Sequence, residues 1–454
     1  MSPALSLRGR GEGHSLTAEP IRIADAPLRP RAETRLRKAA LFEQLGPGLV
    51  TGAADDDPSG IATYSQAGAQ FGFNMLWTMA LTYPLMTAVQ LVSAQIGRVT
   101  GCGLAKNIGD IFPRPLVLGL IGLLFAANTI NIGANLAAMG AATRLAIGGP
   151  SHLYTVAFAF ASLLLQMFAP YERYSRYLKW LTLVLLSYVA VVFIVQVDWA
   201  HAAKGIVAPT FSMTADSLTV IVAILGTTIS PYLLFWQSSQ EVEEIEQRTE
   251  AKPLAEAPEQ APREMRRIRF DTFLGMAVSN VIAMAIMISA AVTLHAQGKA
   301  EIGSAAEAAE ALKPIAGEFA FALFSLGIIG TGLLSLPVLA GSAAYAFGES
   351  QNWKCGLDNK PWEAVGFYGV IVAAIMLGLG IEFSPIDPIK ALFWSAVING
   401  LVAVPIMGAM MWVASQRSQM DRFTVTLPVL VFGWAATGIM AVAAFAMVAL
   451  NGPL

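Results

Sequence analysis

Ala54-Asp55-Asp56-Asp57-Pro58-Ser59-Gly60 lies inside an apolar stretch running from about Leu45 to Phe71. Three consecutive carboxylates, then a proline and a glycine, interrupt what otherwise reads as a membrane-spanning helix. A charge at membrane depth costs about 2.5–3.5 kcal/mol per residue on insertion scales, so it usually marks a site. Pro58 removes a backbone donor and Gly60 adds conformational freedom. A helix broken beside carboxylates turns unwound carbonyls and side-chain oxygens toward a cavity, which is the chemistry of a cation site. Taken alone, the same letters also fit a solvated turn between two short buried helices. They do not fit a calcium EF-hand loop, which needs alternating ligands over twelve residues.

Composition narrows the choice. The 454 residues are 55% hydrophobic and only 13% charged, with a mean hydropathy of +0.58. A soluble chain of this length is neither so apolar nor so poor in charge, so the reading is an all-α polytopic membrane protein. The net charge of -2 says little; its distribution says more. Cys102 and Cys355 fall in short loops on the side assigned below to the cytoplasm, where neither a disulfide nor a structural zinc cluster is expected. His14, His152, His201 and His295 read as surface or loop residues, because none sits mid-span beside a carboxylate.

Outward from the acidic run, residues 1–42 carry eight basic residues among scattered prolines and glycines with no apolar period. They are expected to form a disordered cytoplasmic tail that touches anionic lipid, not a cleaved signal. About 11 apolar spans follow, near 45–71, 74–97, 115–144, 152–169, 177–197, 216–247, 268–295, 316–346, 363–382, 386–414 and 427–450. The first ten form a transporter core over 43–415, and 416–454 adds an eleventh helix. With the N-terminus inside, 24 of the 29 lysines and arginines fall on cytoplasmic segments. That asymmetry places the N-terminus in the cytoplasm and the C-terminus outside the cell membrane. The Ala/Pro/Glu-rich loop 249–263 reads as a flexible inner connector, and the outer segment Ser304–Leu312 as a short helix.

The sixth span contains Leu225-Gly226-Thr227-Thr228-Ile229-Ser230-Pro231-Tyr232, a second cluster of glycine, hydroxyls and proline in mid-span. By itself this is also a proline-kinked packing helix. Paired with the first break it becomes more specific. Five spans separate corresponding positions, which fits a 5+5 inverted repeat of the LeuT type with helices 1 and 6 broken, and paired interruptions point to a transporter site. The acidic exit Glu241-Val242-Glu243-Glu244 reads as a solvated helix end at a vestibule.

These residues resemble the natural resistance-associated macrophage protein (Nramp) family of divalent metal transporters. The first span resembles that family's first helix from Gly46-Pro47-Gly48 through Asp57-Pro58-Ser59-Gly60 to Gln66-Ala67-Gly68-Ala69-Gln70-Phe71-Gly72, and Leu225 to Pro231 resembles its sixth. Asp57 and Pro58 keep the family's positions. The family's asparagine ligand falls on Gly60, its methionine ligand on Ser230, the next histidine on Tyr232 and a later one on Gln237. An acidic position falls on Tyr64, and Asn128, Asn131 and Asn135 stand in the third span where family carboxylates are sought. The pattern is most like the Nramp-related magnesium transporter branch.

The resemblance implies Asp57 as the charged ligand, with backbone carbonyls of Ala54 and Thr227 and the hydroxyl of Ser230. Asn399 offers an amide oxygen or, equally, an interhelical packing bond. Asp56, with Asp55, adds negative field and is counted with the metal set, although both also fit packing or a vestibule. Asn131 and Asn135 read as interhelical glue or as holders of second-shell water. Loss of the thioether and histidines favours hard, hydrated Mg²⁺ beside Mn²⁺, and loss of titratable partners argues against obligatory proton coupling. The expectation is a permease working by alternating access, not an enzyme. The metal ion is its substrate, no cofactor is needed, and its surroundings are lipid rather than nucleic acid; the sequence leaves the oligomeric state open, with a monomer compatible. The alternatives are a proton-coupled Mn²⁺/Fe²⁺ symporter and, less well matched, an amino-acid/cation symporter of the same fold, whose substrate carboxylate Asp55–Asp57 would repel. An intramembrane aspartyl protease would need a second aspartate in a facing helix, and no such motif is found.

Overall fold

The computed structural model of the protein describes residues 51–52, 54–169, 183–210 and 214–451. The tail 1–42, the Gly46-Pro47-Gly48 run and the basic segment with Arg173, Arg176 and Lys179 lie outside the described residues. Among the described residues every regular element is helical. In chain order the principal helices are α1 Pro58–Phe71, α2 Leu76–Thr100, α3 Arg114–Ile147, α4 Ser151–Phe168, α5 Leu186–Ile194, α6 Trp199–Val207, α7 Ala215–Thr228, α8 Pro231–Gln247, α9 Ala261–Thr293, α10 Ala320–Ser350, α11 Val365–Leu379, α12 Pro388–Ser415 and α13 Leu427–Asn451.

Among the described residues, nine helical stretches are long and apolar enough to cross a membrane, or ten if α5 and α6, bent by 116°, count as one span. One of the nine, α1 with α2, is 43 residues long. At 1.5 Å per residue it would measure about 65 Å, twice the ~30 Å hydrocarbon thickness, so it is two passes. Contacts along α9 show where the chain reverses. Rising from Ser279 on α9 to His295 in the turn just after it, the chain meets first Asp55 and Asp56 and then Ala69. Falling back, its Phe273 carbonyl accepts from the Tyr83 hydroxyl, and Ile268 packs with Leu91. The turn is the 3-10 segment Gly72–Met75, where Gly72 has φ +57°. The eleven spans read from hydropathy are thereby accounted for, the fifth only in its described part.

The two breaks have the same construction. Helix 1 is helical at 51–52 and 54–55, bends at Asp56, and restarts at Pro58 behind Asp57, whose backbone is extended (φ -72°, ψ 170°). Helix 6 stops at Thr228 and restarts at Pro231 behind Ser230, also extended (φ -70°, ψ 132°). A proline at the first helical position suits the new helix start and cannot serve the old one. Glycine lets the elements around the breaks approach. A Cβ on Gly226 would stand 2.1 Å from the Ala396 carbonyl oxygen, and one on Gly68 would stand 2.2 Å from that of Met287. Backbone contact this close fixes α7 on α12 and α1 on α9.

Two local expectations are corrected. Segment 249–263 is pinned, because Leu254 and Ala255 donate backbone hydrogen bonds to Arg98 and Val99 at the end of α2, and Leu254 is buried. The acidic exit of helix 6 is not solvated at Glu241, which is fully buried. Arg267 of α9 bonds Glu241 at 2.5 Å, Glu244 at 2.8 Å and Glu264 at 2.9 Å, and Arg98 of α2 reaches Glu264 at 3.2 Å. Burial of these acids is possible because guanidinium groups from two other helices meet them. The segment after Ser304 is helical as expected, an α-turn Ala305–Ala309 running into a 3-10 turn Glu310–Leu312.

Candidate metal-binding site

An α-helical carbonyl accepts from the N–H four residues on, and proline has none. Pro58 therefore frees the carbonyl of Ala54, and Pro231 frees that of Thr227. Among the described residues each meets a side-chain hydroxyl. Tyr232 donates to Ala54 at 3.4 Å, and Ser230 donates to Thr227 at 2.8 Å and to Gly226 at 2.9 Å. The C-terminal ends of the two half-helices bring partial negative charge to the same region, which favours a cation.

Asp57 lies between the breaks and is fully buried. Its Oδ1 accepts from the Gly60 N–H at 3.0 Å and the Ser59 hydroxyl at 2.5 Å. Its Oδ2 accepts from the amides of Asn131 at 3.3 Å and Asn135 at 3.5 Å, both on α3. Ser59 lies 3.3 Å from the Thr227 hydroxyl, which joins the two breaks directly. The Asn131 carbonyl accepts from Ser395 of α12 at 3.3 Å, and Asn135 donates to Ser335 of α10 at 3.2 Å. Four spans thus converge on one carboxylate through neutral oxygen and amide groups.

Asn399 is one turn beyond Ser395, fully buried, and neither atom of its amide has a hydrogen-bond partner. The packing bond considered from sequence is not made, and the adjacent Gly400 lies against Val222 and Gly226. Asp55 and Asp56 turn toward α9, where the Ser279 hydroxyl lies 2.7 Å from one and 3.0 Å from the other. Asp56 makes no bond to the Asn131–Asn135 group. Among the described residues no lysine, arginine or histidine forms an ion pair with Asp55, Asp56 or Asp57. Buried carboxylates without a cationic partner are costly to keep ionised, so the site as a whole calls for a positive charge.

Other positions singled out in the sequence have structural partners. Asn128 bonds the Leu339 carbonyl and Ser342, tying α3 to α10. Tyr64 meets Thr228 at 3.0 Å, and Gln237 accepts from Thr51 at 2.5 Å. The roles of Ser59, Ser279, Ser335 and Ser395 were not foreseen. Spacing carried a partial signal, since Asn131/Asn135 and Ser395/Asn399 are four apart and so share a helix face.

Comparison with known proteins decides the lineage. The family described as "Natural resistance-associated macrophage protein-like" matches residues 48–450. The chain belongs to the Nramp family. One Nramp relative is the "Divalent metal cation transporter MntH" of Acidiphilium cryptum, 28% identical over 395 residues, with 84% of each chain covered. The solved structure of the Eremococcus coleocola manganese transporter, in complex with an aromatic bis-isothiourea substituted compound, shares the fold with a TM-score of 0.69. Identity there is 18%, over 94% of this chain and 88% of that one. Outside Nramp, a nucleobase-cation-symport-1 family transporter in a closed conformation superposes with a TM-score of 0.58 at 14% identity, over 90% of this chain and 93% of that one. The architecture is therefore that of LeuT-type transporters, with both broken helices at the centre of a multi-pass membrane protein.

Proposed function

We propose that the chain is a permease for Mg²⁺ and Mn²⁺ that works by alternating access without obligatory proton coupling. Family membership makes it a divalent metal cation transporter rather than an enzyme, with the metal as cargo. The observation that carries the finer reading is Asp57, a buried carboxylate at the meeting of two helix breaks whose four donors are all neutral. Carboxylate, hydroxyls, freed carbonyls and an unpaired amide are hard donors, and no sulfur stands among them. Such a set suits a cation that keeps part of its water. No histidine or acid from another helix bonds this cluster among the described residues. Potential alone suffices as a driving force: a dication crossing 100 mV gains about 4.6 kcal/mol, enough for roughly thousandfold accumulation. The lysine and arginine asymmetry supports a cytoplasmic face at the Glu349 end of α10.

The test is reconstitution in liposomes with an Mg²⁺ dye and a pH dye under a clamped potential. Mg²⁺ and Mn²⁺ should enter without acidification, and Asp57→Ala should abolish both fluxes. If Mn²⁺ enters while millimolar Mg²⁺ neither enters nor competes, the selectivity argument fails. Metal-driven acidification that disappears in Asp57→Ala would show coupling. That outcome supports the second reading, a proton-coupled Mn²⁺/Fe²⁺ symporter; of its parts the names of the relatives carry divalent metal and manganese transport.

A further inference from the structure

The outward face of α9 changes character in order along its length. Arg266 and Arg269 come first, Phe270 and Phe273 next, then Val278 and Val281, and all six are exposed. At 100° per residue Arg266, Phe270, Phe273 and Val281 fall within about 80° of one another, with Arg269 on one flank of that stripe and Val278 on the other. From Arg269 to Val278 the helix rises about 14 Å, close to half the ~30 Å hydrocarbon thickness. The stripe therefore matches one leaflet, cationic at headgroup level, aromatic below it and aliphatic at depth.

At the cationic end the stripe forms one wall of a groove of about 730 Å³, with Phe423, from the connection between α12 and α13, on the other side. The charges there are uncommitted. Arg267, between them in sequence, points inward and is held by three glutamates. Among the described residues Arg266 and Arg269 form no ion pair. Two free guanidinium groups above an apolar slot call for a ligand that is anionic at one end and hydrocarbon at the other. A zwitterionic headgroup would bring its own cation against them, and a free anion would leave the phenylalanines without a role.

We propose that this groove binds one anionic phospholipid, its phosphate held by Arg266 and Arg269 and an acyl chain laid along Phe270 and Phe273 toward Val281. The proposal rests on the chain lying in a bilayer and not on which ion it carries.

The test uses the full chain in nanodiscs of phosphatidylcholine with about one-fifth phosphatidylglycerol, with native mass spectrometry counting the lipids retained as the disc is stripped. Three variants are compared with wild type: Arg266→Gln/Arg269→Gln, Phe270→Ala/Phe273→Ala, and the charge-matched control Lys354→Gln/Lys360→Gln. All substituted side chains are at least partly exposed, and melting temperatures check the fold. Wild type and control should retain about one phosphatidylglycerol, and each groove variant should retain at least threefold less. Equal loss in the control, no loss in the groove variants, or equal retention of phosphatidylcholine overturns the proposal. So does full displacement by millimolar glycerol phosphate, which would mark a site for free anions.

Discussion

Asp57 is stabilised by donors that carry no charge, and this sets what single substitutions should do. Asn131 lies 3.3 Å from Asp57 Oδ2. Asn131→Asp would set two carboxylates at that separation, where like charges resist ionising together and a proton competes with the metal. Uptake by this variant should fall as pH drops from about 8 to 6, while wild-type uptake stays nearly flat; pH-jump flux measurements in liposomes check it. Ser230 tests softness. Ser230→Met introduces a thioether beside the freed Thr227 carbonyl, so Cd²⁺ should compete at least about tenfold better and Mg²⁺ flux should fall. Ser230→Ala removes the same hydroxyl bonds to Gly226 and Thr227 without adding sulfur, and should not gain Cd²⁺. At this scale the helix breaks at Asp57 and Ser230 were legible in the sequence because each directly precedes a proline. The direction of Asp56 was not. Neighbouring residues leave a helix about 100° apart, and only the bend at Asp56 decides which carboxylate faces α3 and which faces Ser279. Nor was the aim of Asn131 and Asn135 legible, since it depends on the rotation of α3 in the bundle.

At the scale of elements, each broken helix is a pair of half-helices whose second member is anchored at its far end. For α8 that anchor is the buried group of Arg98, Arg267, Glu241, Glu244 and Glu264 shared with α2 and α9. Removing one partner of a buried ion pair leaves an uncompensated charge and costs about 3–5 kcal/mol. Arg267→Gln should therefore lower the melting temperature in detergent by several degrees and loosen α8, whereas Arg267→Lys should lose less. Thermal unfolding followed by tryptophan fluorescence measures both. The spans themselves were readable because hydropathy is local and a bilayer fixes their length. The anchor was not, because Glu241 and its arginines are drawn from three spans and meet only after the bundle packs. The pinned segment 249–263 was misread for the same reason: its composition resembles a linker, and its bonds go to a helix about 150 residues earlier.

Across the whole molecule Asp57 is sealed from both ends. At one end a cavity of about 390 Å³ reaches Ala62 on α1 and Thr219 on α7. In its wall the Gln66 amide ties α1 to Ala300 and Ile302. At the other end a cavity of about 470 Å³ is lined by Glu243, Glu349, Cys102 and Cys355. There α8 is clamped to α10. Tyr345 donates to Glu243, which also accepts from the Leu357 N–H at 3.2 Å, and Glu349 accepts from Ser239 at 2.6 Å and from the Ala105 N–H at 3.1 Å. If the chain works by alternating access as proposed, this clamp must open in turn, and Cys355 sits where opening can be read. Burial, with Glu349, Glu243 and Glu246 nearby, pushes its thiol up to about 12. In a Cys102→Ser background, alkylation at pH 8 should therefore be about a hundredfold slower than for an ordinary thiol, allowing for the higher intrinsic nucleophilicity of a more basic thiolate. The rate should rise about tenfold per pH unit up to pH 11. Tyr345→Phe removes the clamp's hydroxyl but keeps the ring against Phe367. If the clamp closes this end, that variant should admit water beside Cys355, lower the thiol's pKa and raise the pH 8 labelling rate about tenfold or more. An unchanged rate in a variant whose metal flux has changed would place the closure elsewhere along α8.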